Sequence, residues 1–255
     1  MDNALSCFAA TLAAALLVPA LVVAGAAVDY ADGDKTLEGF LELPKGEGRL
    51  PGVLIVHQWM GITDHEKEVA GRLAKAGFAA FACDIYGKGD RPNGRSQAGA
   101  YAGKYKNNIA LYRRRLAAGL SVLKKHPRVD PSRLAVIGYC FGGTGALELG
   151  RSGADVKAIV SFHGGLSTPK PEDAKNIRGS VLICHGGDDR HVPDKEVLGV
   201  MNELRATKVD WQVLVFGNSV HGFTHRHDDQ RYNAKAEARA WNAMMNLFAE
   251  TWSTQ

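Results

Sequence analysis

A cysteine in a glycine-rich turn is the residue best placed for covalent chemistry. The stretch Leu134 to Ala146 predicts an apolar strand, a sharp turn and a helix start, with Cys140 in the turn between Gly138 and Gly142. This is the G-x-S-x-G form of a strained, nucleophile-bearing turn, with cysteine in the serine position. The amino terminus of the following helix favours a thiolate. We therefore expect Cys140 to be a nucleophile; a buried cysteine in a tight turn is the alternative.

A carboxylate and a histidine follow two later apolar runs. Asp189 lies in His-Gly-Gly-Asp-Asp-Arg-His-Val-Pro, where Asp188 is the second candidate acid, and His221 follows the next apolar run. A carboxylate can orient a histidine ring, which then takes the proton from a nucleophile. The order nucleophile, acid, base along the chain is that of α/β-hydrolases. We predict that Cys140, Asp189 and His221 form a catalytic triad.

Apolar strands alternate with helical segments, as a sheet that positions these residues requires. The predicted buried strands are Gly52 to His57, Phe78 to Cys83, Leu134 to Gly138, Ala158 to Phe162, Val181 to His185 and Trp211 to Phe216. The predicted helices are Asp64 to Ala76, Ile109 to Lys125, Gly142 to Gly150, Asp194 to Thr207 and Asn233 to Thr251. This alternation predicts an α/β fold, with a mostly parallel sheet flanked by helices on both faces.

Two further segments have a predicted place in this fold. Lys35 to Leu43 alternates polar and apolar residues, which is typical of an antiparallel edge strand with one wet face. The longest connection, Tyr86 to Lys106, is polar and glycine-rich. Functional loops gather beyond the carboxyl ends of parallel strands, so we expect this connection to be a loop that lines the site.

Length and composition are those of one globular domain. The 255 residues are 45% hydrophobic and 23% charged, which excludes a disordered, collagenous or coiled-coil chain. The net charge is only +4, and the basic cluster Arg113-Arg114-Arg115 lies in a predicted amphipathic helix. A nucleic-acid-binding surface needs a larger basic area than this. Nucleic acid is therefore not an expected partner.

The amino terminus predicts an exported protein. Residues 1–27 are predicted to be a signal peptide and residues 28–255 a single domain, because no charged residue occurs from Asn3 to Val28 and small residues near Ala26 offer a cleavage site. The first residues carry Asp2 and no cation, so an uncleaved membrane anchor and a misassigned start are the alternatives. Contact with a membrane is expected only if the segment is uncleaved.

Over Tyr30 to Thr251 the sequence resembles the dienelactone hydrolase family, the cysteine branch of the α/β-hydrolases. The resemblance is carried by Gly138-Tyr-Cys-Phe-Gly-Gly, His185-Gly-Gly-Asp-Asp-Arg-His-Val-Pro, Val220-His-Gly-Phe, His57-Gln-Trp-Met-Gly and Cys83-Asp-Ile-Tyr-Gly. It implies hydrolysis of an enol-lactone or a related activated ester, through a thioester and without a cofactor. It also implies a Cys140–His221–Asp189 triad and an oxyanion hole made by the backbone N–H groups of Phe141 and Trp59.

The chain departs from the family at positions that bear on the substrate. Gln58 stands where members that hydrolyse dienelactone have a glutamate that partners the resting cysteine. The family's carboxylate-binding arginines correspond here to Lys88 and to His225 or Arg226. We expect these four residues to bind substrate, which is an ester or lactone with possible anionic character. Tyr139, beside the nucleophile, is expected either to contact substrate or to pack in the turn.

Among enzymes, the alternative is a general carboxylesterase or thioesterase of the same fold. Two other classes of function also stay open. The chain could be a catalytically silent scaffold that binds a ligand or a protein, and Cys140 could act in redox sensing if a second cysteine lay near it. His221 and His225 have the i, i+4 spacing of zinc ligands, but no H-E-x-x-H motif surrounds them, so no metal is expected. A monomer or a small homo-oligomer is expected.

Overall fold

The computed structural model describes residues 22–253, which form one sheet covered by helices. The strands are β1 (Val22–Asp32), β2 (Lys35–Pro44), β3 (Leu50–Val56), β4 (Ala79–Cys83), β5 (Val129–Tyr139), β6 (Ala158–Phe162), β7 (Ser180–Gly186) and β8 (Trp211–Phe216). The helices are α1 (Asp64–Lys75), α2 (Arg95–Lys106), α3 (Ile109–Lys125), α4 (Phe141–Arg151), α5 (Asp194–Arg205) and α6 (Ala234–Ser253), with a 3-10 helix at Pro171–Asn176.

The sheet is mostly parallel, as the alternating pattern predicts. Its strand order is β1-β2-β4-β3-β5-β6-β7-β8. Strands β3 to β8 run parallel, whereas β2 pairs antiparallel with both β1 and β4. The predicted α/β fold is confirmed. The segment from Lys35 is antiparallel as predicted, but it lies between β1 and β4, so the prediction that it is an edge strand was wrong.

Helices cover both faces of the sheet and bury its apolar side chains. Leu73 of α1 and Phe248 of α6 belong to the core on one face. Leu116 of α3, Leu147 of α4 and Val200 of α5 belong to the core on the other face. All residues of β4 and of β6 are buried, since both faces of these strands are covered. The same double burial explains why the central strands have continuous apolar sequences.

The direction in which the chain crosses the sheet reverses beside β3. After β3 the chain adds β4 on one side and β5 on the other. The connections that leave β3 and β5 therefore diverge, and open α/β sheets bind ligands in the crevice that such a reversal leaves at the carboxyl ends. The loop that starts at His57 and the turn that holds Cys140 both begin at this crevice.

The connection predicted to be a loop between Tyr86 and Lys106 contains the helix α2, so that prediction was wrong in part. Glycine is unfavourable inside a helix, and two glycines lie within α2. The residues that bury it, Ala98, Ala102 and Tyr105, recur at helical spacing. This short buried stripe, surrounded by polar residues, is the sequence signal for α2.

Strand β1 begins upstream of the predicted domain boundary at residue 28. It starts at Val22, and Ala26 and Ala27 pair with Leu41 and Phe40 of β2. The predicted leader otherwise lies outside the described residues, and its cleavage stays a prediction. Among the helices of residues 22–253, none is both long and apolar enough to cross a membrane.

A buried arginine joins the far end of α4 to α5. Arg151, whose side chain is 1% exposed, donates to both carboxylate oxygens of Glu203 at 2.7 and 2.8 Å. It also donates to Glu148 at 2.9 Å and to the carbonyl of Leu166 at 3.1 Å. A buried guanidinium needs such partners because an unpaired charge is costly away from water.

We predict that Glu203→Ala lowers the free energy of unfolding by about 3 kcal/mol, because it leaves the buried charge of Arg151 short of a partner. Urea denaturation measures the change. The control is Asp155→Ala, which removes a carboxylate from an exposed pair with Lys157 at 3.6 Å and should cost under about 1 kcal/mol. Equal effects of the two substitutions would contradict the assignment of α4 and α5 as an ion-paired unit.

Candidate active site

Cys140 lies in a strained turn between β5 and α4. Its φ of 54° and ψ of −114° are a left-handed conformation that a residue with a Cβ adopts only when its surroundings hold it there. Its N–H donates to the carbonyl of Phe162 at 3.0 Å, and its carbonyl accepts from the N–H of Gly143 at 3.0 Å. A Cβ on Gly138 would come within 1.9 Å of the carbonyl oxygen of Gly142. Glycines before and after Cys140 are therefore required for the turn to close.

The ring of His221 lies within hydrogen-bond distance of both other predicted triad residues. Nε2 of His221 is 3.0 Å from Sγ of Cys140, and Nδ1 of His221 is 2.8 Å from Oδ2 of Asp189. The other oxygen of Asp189 accepts two backbone N–H groups of the turn that follows, which fixes the carboxylate. The alternative acid, Asp188, is exposed. Of the two aspartates, Asp189 is the one that contacts the histidine.

The pKa values of this chain of groups favour a charged histidine. Burial by itself lowers the pKa of His221, but the hydrogen bonds and charges of Asp189 and Cys140 outweigh it and raise the pKa to about 9. Burial by itself raises the pKa of Asp189, but the hydrogen bond from His221 and the backbone N–H groups outweigh it, so the pKa lies below its usual value. These partners therefore favour the protonated form of the imidazole.

Hydrogen bonds of neighbouring side chains fix the loop that carries His221. Asn233 donates to the hydroxyl of Ser219 at 3.0 Å and, through its carbonyl, caps α6. His163 lies 5.3 Å from His221 between ring centroids and bonds Thr224 through Nε2 at 2.8 Å. Burial and the nearby His221 put the pKa of His163 well below its usual value. His163 is thus a neutral imidazole that braces the loop beside the His221 ring.

Cys140 opens into a cavity of about 650 Å³ at the carboxyl ends of the strands. Phe141 and Trp59 line it together with Cys140 and His221. Within residues 22–253, the backbone N–H groups of Phe141 and Trp59 have no hydrogen-bond acceptor. Two free donors beside a nucleophile are the arrangement that stabilises an oxyanion.

Of the predicted substrate-binding residues, Gln58 and His225 line this cavity. The side chain of Gln58 makes no hydrogen bond within the part of the chain that the structure describes. The ring of His225 stacks on that of His65, with 5.4 Å between their centroids. Both positions can therefore contact a bound molecule.

The structure does not bring the other three predicted substrate-binding residues to the cavity. Lys88 forms ion pairs with carboxylates of β1 and β2 at the edge of the sheet. Tyr139 is buried and stacks on Phe162, with 4.7 Å between centroids. Arg226 donates to Glu237 at 3.1 Å, away from the cavity. Lys88 and Arg226 are paired with carboxylates of the protein. Tyr139 packs against a neighbouring ring, which is the second of the two roles expected for it.

The cations that line the cavity are residues that were not predicted to bind substrate. Arg95 and Lys106 stand at the two ends of α2 and are exposed, and neither forms an ion pair with a described residue. Arg231 also lines the cavity but pairs with Asp228 at 3.3 Å. The sequence signal that could have pointed to Arg95 and Lys106 is their place in the segment from Tyr86 to Lys106, which was predicted to line the site.

The chain is similar to known proteins over most of its length. The family model described as "Dienelactone hydrolase family" matches residues 37–252. A Synechocystis protein named "Putative carboxymethylenebutenolidase" is 30% identical over 228 residues, which cover 83% of this chain and 91% of that protein. "Protein usf" of Aquifex pyrophilus is 28% identical over 234 residues, 89% of this chain and 98% of that protein.

A solved structure is also similar over nearly the whole chain. It is a dienelactone hydrolase-like promiscuous phosphotriesterase from metagenomic libraries, 43% identical, with a TM-score of 0.85. The match covers 91% of this chain and 99% of that chain. Sequence and fold therefore agree over the part of the chain that holds the site.

We predict that the ring of His221 titrates near pH 9 and that Cys140→Ala lowers its pKa, because the contact with the sulfur is one of the interactions that raise it. The folded-state pKa exceeds the usual 6.5, so the contribution of His221 to stability is complete below about pH 6 and is lost as the pH rises through 9. NMR titration of the histidine Cε1–H resonances measures the pKa.

His126, at the end of α3, is the internal control, since its resonance should not change in the Cys140→Ala protein. A pKa of His221 that is the same in the two proteins would mean that the sulfur and the ring do not interact in solution.

Proposed function

Because the chain belongs to the dienelactone hydrolase family, we propose that this hydrolase cleaves activated esters or enol-lactones through a thioester on Cys140. The observation that carries the proposal is the line of contacts from Sγ through the His221 ring to Asp189, at 3.0 and 2.8 Å. Each pair in this line has the geometry that nucleophile activation requires. The two free backbone donors beside the sulfur add a place for the oxyanion that forms when the ester is attacked.

In the first half-reaction the sulfur forms a bond to the ester carbonyl carbon. The carbonyl π pair moves to oxygen, and the N–H groups of Phe141 and Trp59 donate to that oxyanion. One well-aimed donor is worth about 3 kcal/mol of transition-state stabilisation. When the oxyanion collapses, the bond to the leaving oxygen breaks, and the leaving group takes a proton from the imidazolium of His221. Asp189 keeps the ring in the tautomer and orientation that both transfers need.

In the second half-reaction water hydrolyses the thioester. His221, now neutral, takes a proton from water as its oxygen attacks the acyl carbon, and the sulfur departs as a thiolate. An enolate or aryloxide leaves more readily than an amide nitrogen, so activated esters are preferred over peptides. The ionised sulfur and the charged ring return to their starting state.

Activation of the sulfur in this proposal relies on His221, because Gln58 is neutral. An amide can donate a hydrogen bond to a thiolate but cannot take a proton from a thiol. The contacts that raise the pKa of His221 to about 9 make its ring a good acceptor for the proton of the sulfur. We therefore propose that the His221 ring takes the proton of the Cys140 thiol before the sulfur attacks.

We propose that the substrate carries a negative charge away from the ester. Arg95 and Lys106 face the cavity from α2 without an ion-pair partner among the described residues. Unpaired cations at the wall of a cavity attract an anionic ligand, with more effect on binding than on the chemical step. The substrate class is thus a small activated ester or lactone with a carboxylate.

We predict that Cys140→Ala lowers turnover of an aryl ester and of an enol-lactone by at least about 10³-fold, because the covalent route is lost. Mass spectrometry of acid-quenched wild-type protein should find the acyl group on the peptide that contains Cys140. Cys184→Ala is the control, because Cys184 is fully buried in β7, and it should keep its activity. Hydrolysis by Cys140→Ala at the wild-type rate, with no acyl adduct on the wild type, would refute the proposal and favour a non-covalent or silent site.

We predict that the double variant Arg95→Gln/Lys106→Gln raises KM for a carboxylate-bearing aryl ester by about 3- to 30-fold, as expected for two partly screened charge contacts. KM for a neutral ester of the same shape should change less than about twofold. Lys104→Gln, on the same helix but outside the cavity lining, is the matched control. Equal effects on both esters would show that α2 does not select for charge.

A further inference from the structure

Three buried side chains hold the backbone around the peptide bond between Gln58 and Trp59. Glu66 accepts the N–H of Gln58 at 3.1 Å, and Nδ1 of His57 lies 2.5 Å from the carbonyl oxygen of Gln58. The hydroxyl of Tyr86 donates to the carbonyl of Trp59 at 2.9 Å. The N–H of Trp59 is the one backbone polar group of these two residues that has no partner within residues 22–253.

The hydrogen bonds of His57 define its tautomer. Ile85 donates its backbone N–H to Nε2 at 3.2 Å, so Nε2 carries no proton. Nδ1 must then carry the proton, and it donates to the Gln58 carbonyl, which can only accept. The ring is fully buried, and burial keeps its pKa below the usual value. One neutral tautomer therefore satisfies both contacts, and a charged ring would break the bond from Ile85.

The orientation of the Gln58 carbonyl sets the direction of the Trp59 N–H. The two groups belong to one planar trans peptide, in which C=O and N–H point in opposite directions. The carbonyl is held by His57 and also accepts the N–H of Gly61 at 3.2 Å. Trp59 lines the cavity beside Cys140, so the free N–H is left on the side where an oxyanion would form.

We propose that His57 is a positioning residue, a neutral imidazole that aims the Trp59 N–H at the oxyanion of the substrate. The inference rests on the proposed hydrolysis at Cys140. The His57 ring also stacks on Phe141, which carries the second donor, at 5.8 Å between centroids. A carbonyl that accepts a hydrogen bond polarises its peptide and strengthens the N–H of the same unit. His57 thus acts on the oxyanion through the peptide and does not touch the substrate itself.

The test compares two reactions of Cys140 that differ in one requirement. Acylation by an aryl ester develops an oxyanion, whereas alkylation by iodoacetamide needs the thiolate but develops no oxyanion at a carbonyl. For His57→Leu we expect acylation, measured as the pre-steady-state burst, to slow by about 10- to 100-fold. Alkylation should stay within about threefold of wild type. His57→Asn keeps an N–H donor near the position of Nδ1 and should recover part of the loss.

A second probe reports the oxyanion site at equilibrium. A small aldehyde forms a reversible thiohemiacetal with a cysteine. We expect the affinity of the protein for this aldehyde to fall in His57→Leu by a factor similar to the fall in the acylation rate. His126→Asn, distant from the site at the end of α3, is the histidine control, and thermal unfolding of every variant checks folding. If acylation and alkylation fall equally in both His57 variants, or if neither changes, the inference is wrong. If the wild type shows no burst and no rapid alkylation, the proposed function itself fails.

Discussion

The site depends on how closely the turn after β5 approaches the end of β3. A Cβ on Gly142 would lie 2.1 Å from the carbonyl oxygen of Val56, so the two backbones are in direct contact. The relative position of Cys140 and the loop at Trp59 is therefore set by main chain and not by adjustable side chains. Hydrolysis at a sulfur needs donors within a few tenths of an ångström of the oxyanion. A contact between two backbones holds the donors and the sulfur at a fixed separation, because no side chain can rotate to change it.

Of the three histidines that follow β3, β6 and β8, His221 is the one whose partners raise its pKa. His221 lies between the sulfur of Cys140 and the carboxylate of Asp189, and these partners raise its pKa. Burial lowers the pKa of His57 and of His163, so the two neighbouring imidazoles stay uncharged. A second charged ring close to His221 would repel the proton that ring must hold. The neutral histidines can thus brace the site without disturbing its protonation.

The sequence was sufficient for the parallel strands β3 to β8 and for the positions of Cys140, Asp189 and His221, because each of these residues follows a strand whose apolar run is easily recognised. In a parallel sheet such residues meet at one edge whatever the details of packing. The cationic residues were harder to predict, since Lys88 and Arg226 lie in exposed connections where ion pairs with distant strands and helices decide the side-chain direction. Those pairings leave no local signal, and the signal for α2 is only a short apolar stripe at Ala98, Ala102 and Tyr105.

The histidines at the carboxyl edge of the sheet show why position alone does not give a chemical role. His57, His163 and His221 each follow a strand, yet their partners differ in kind. His57 accepts a backbone N–H, so its protonation would cost a hydrogen bond, and it is unsuited to carry a proton to or from substrate. His221 faces a carboxylate and a sulfur, both of which are stabilised by its second proton. A histidine can act as a base when its ring nitrogens face groups that accept a proton, as in His221. It can only hold the structure in place when a ring nitrogen faces a backbone donor, as in His57. That property belongs to the folded environment, because the residues that supply those groups come from other strands and loops.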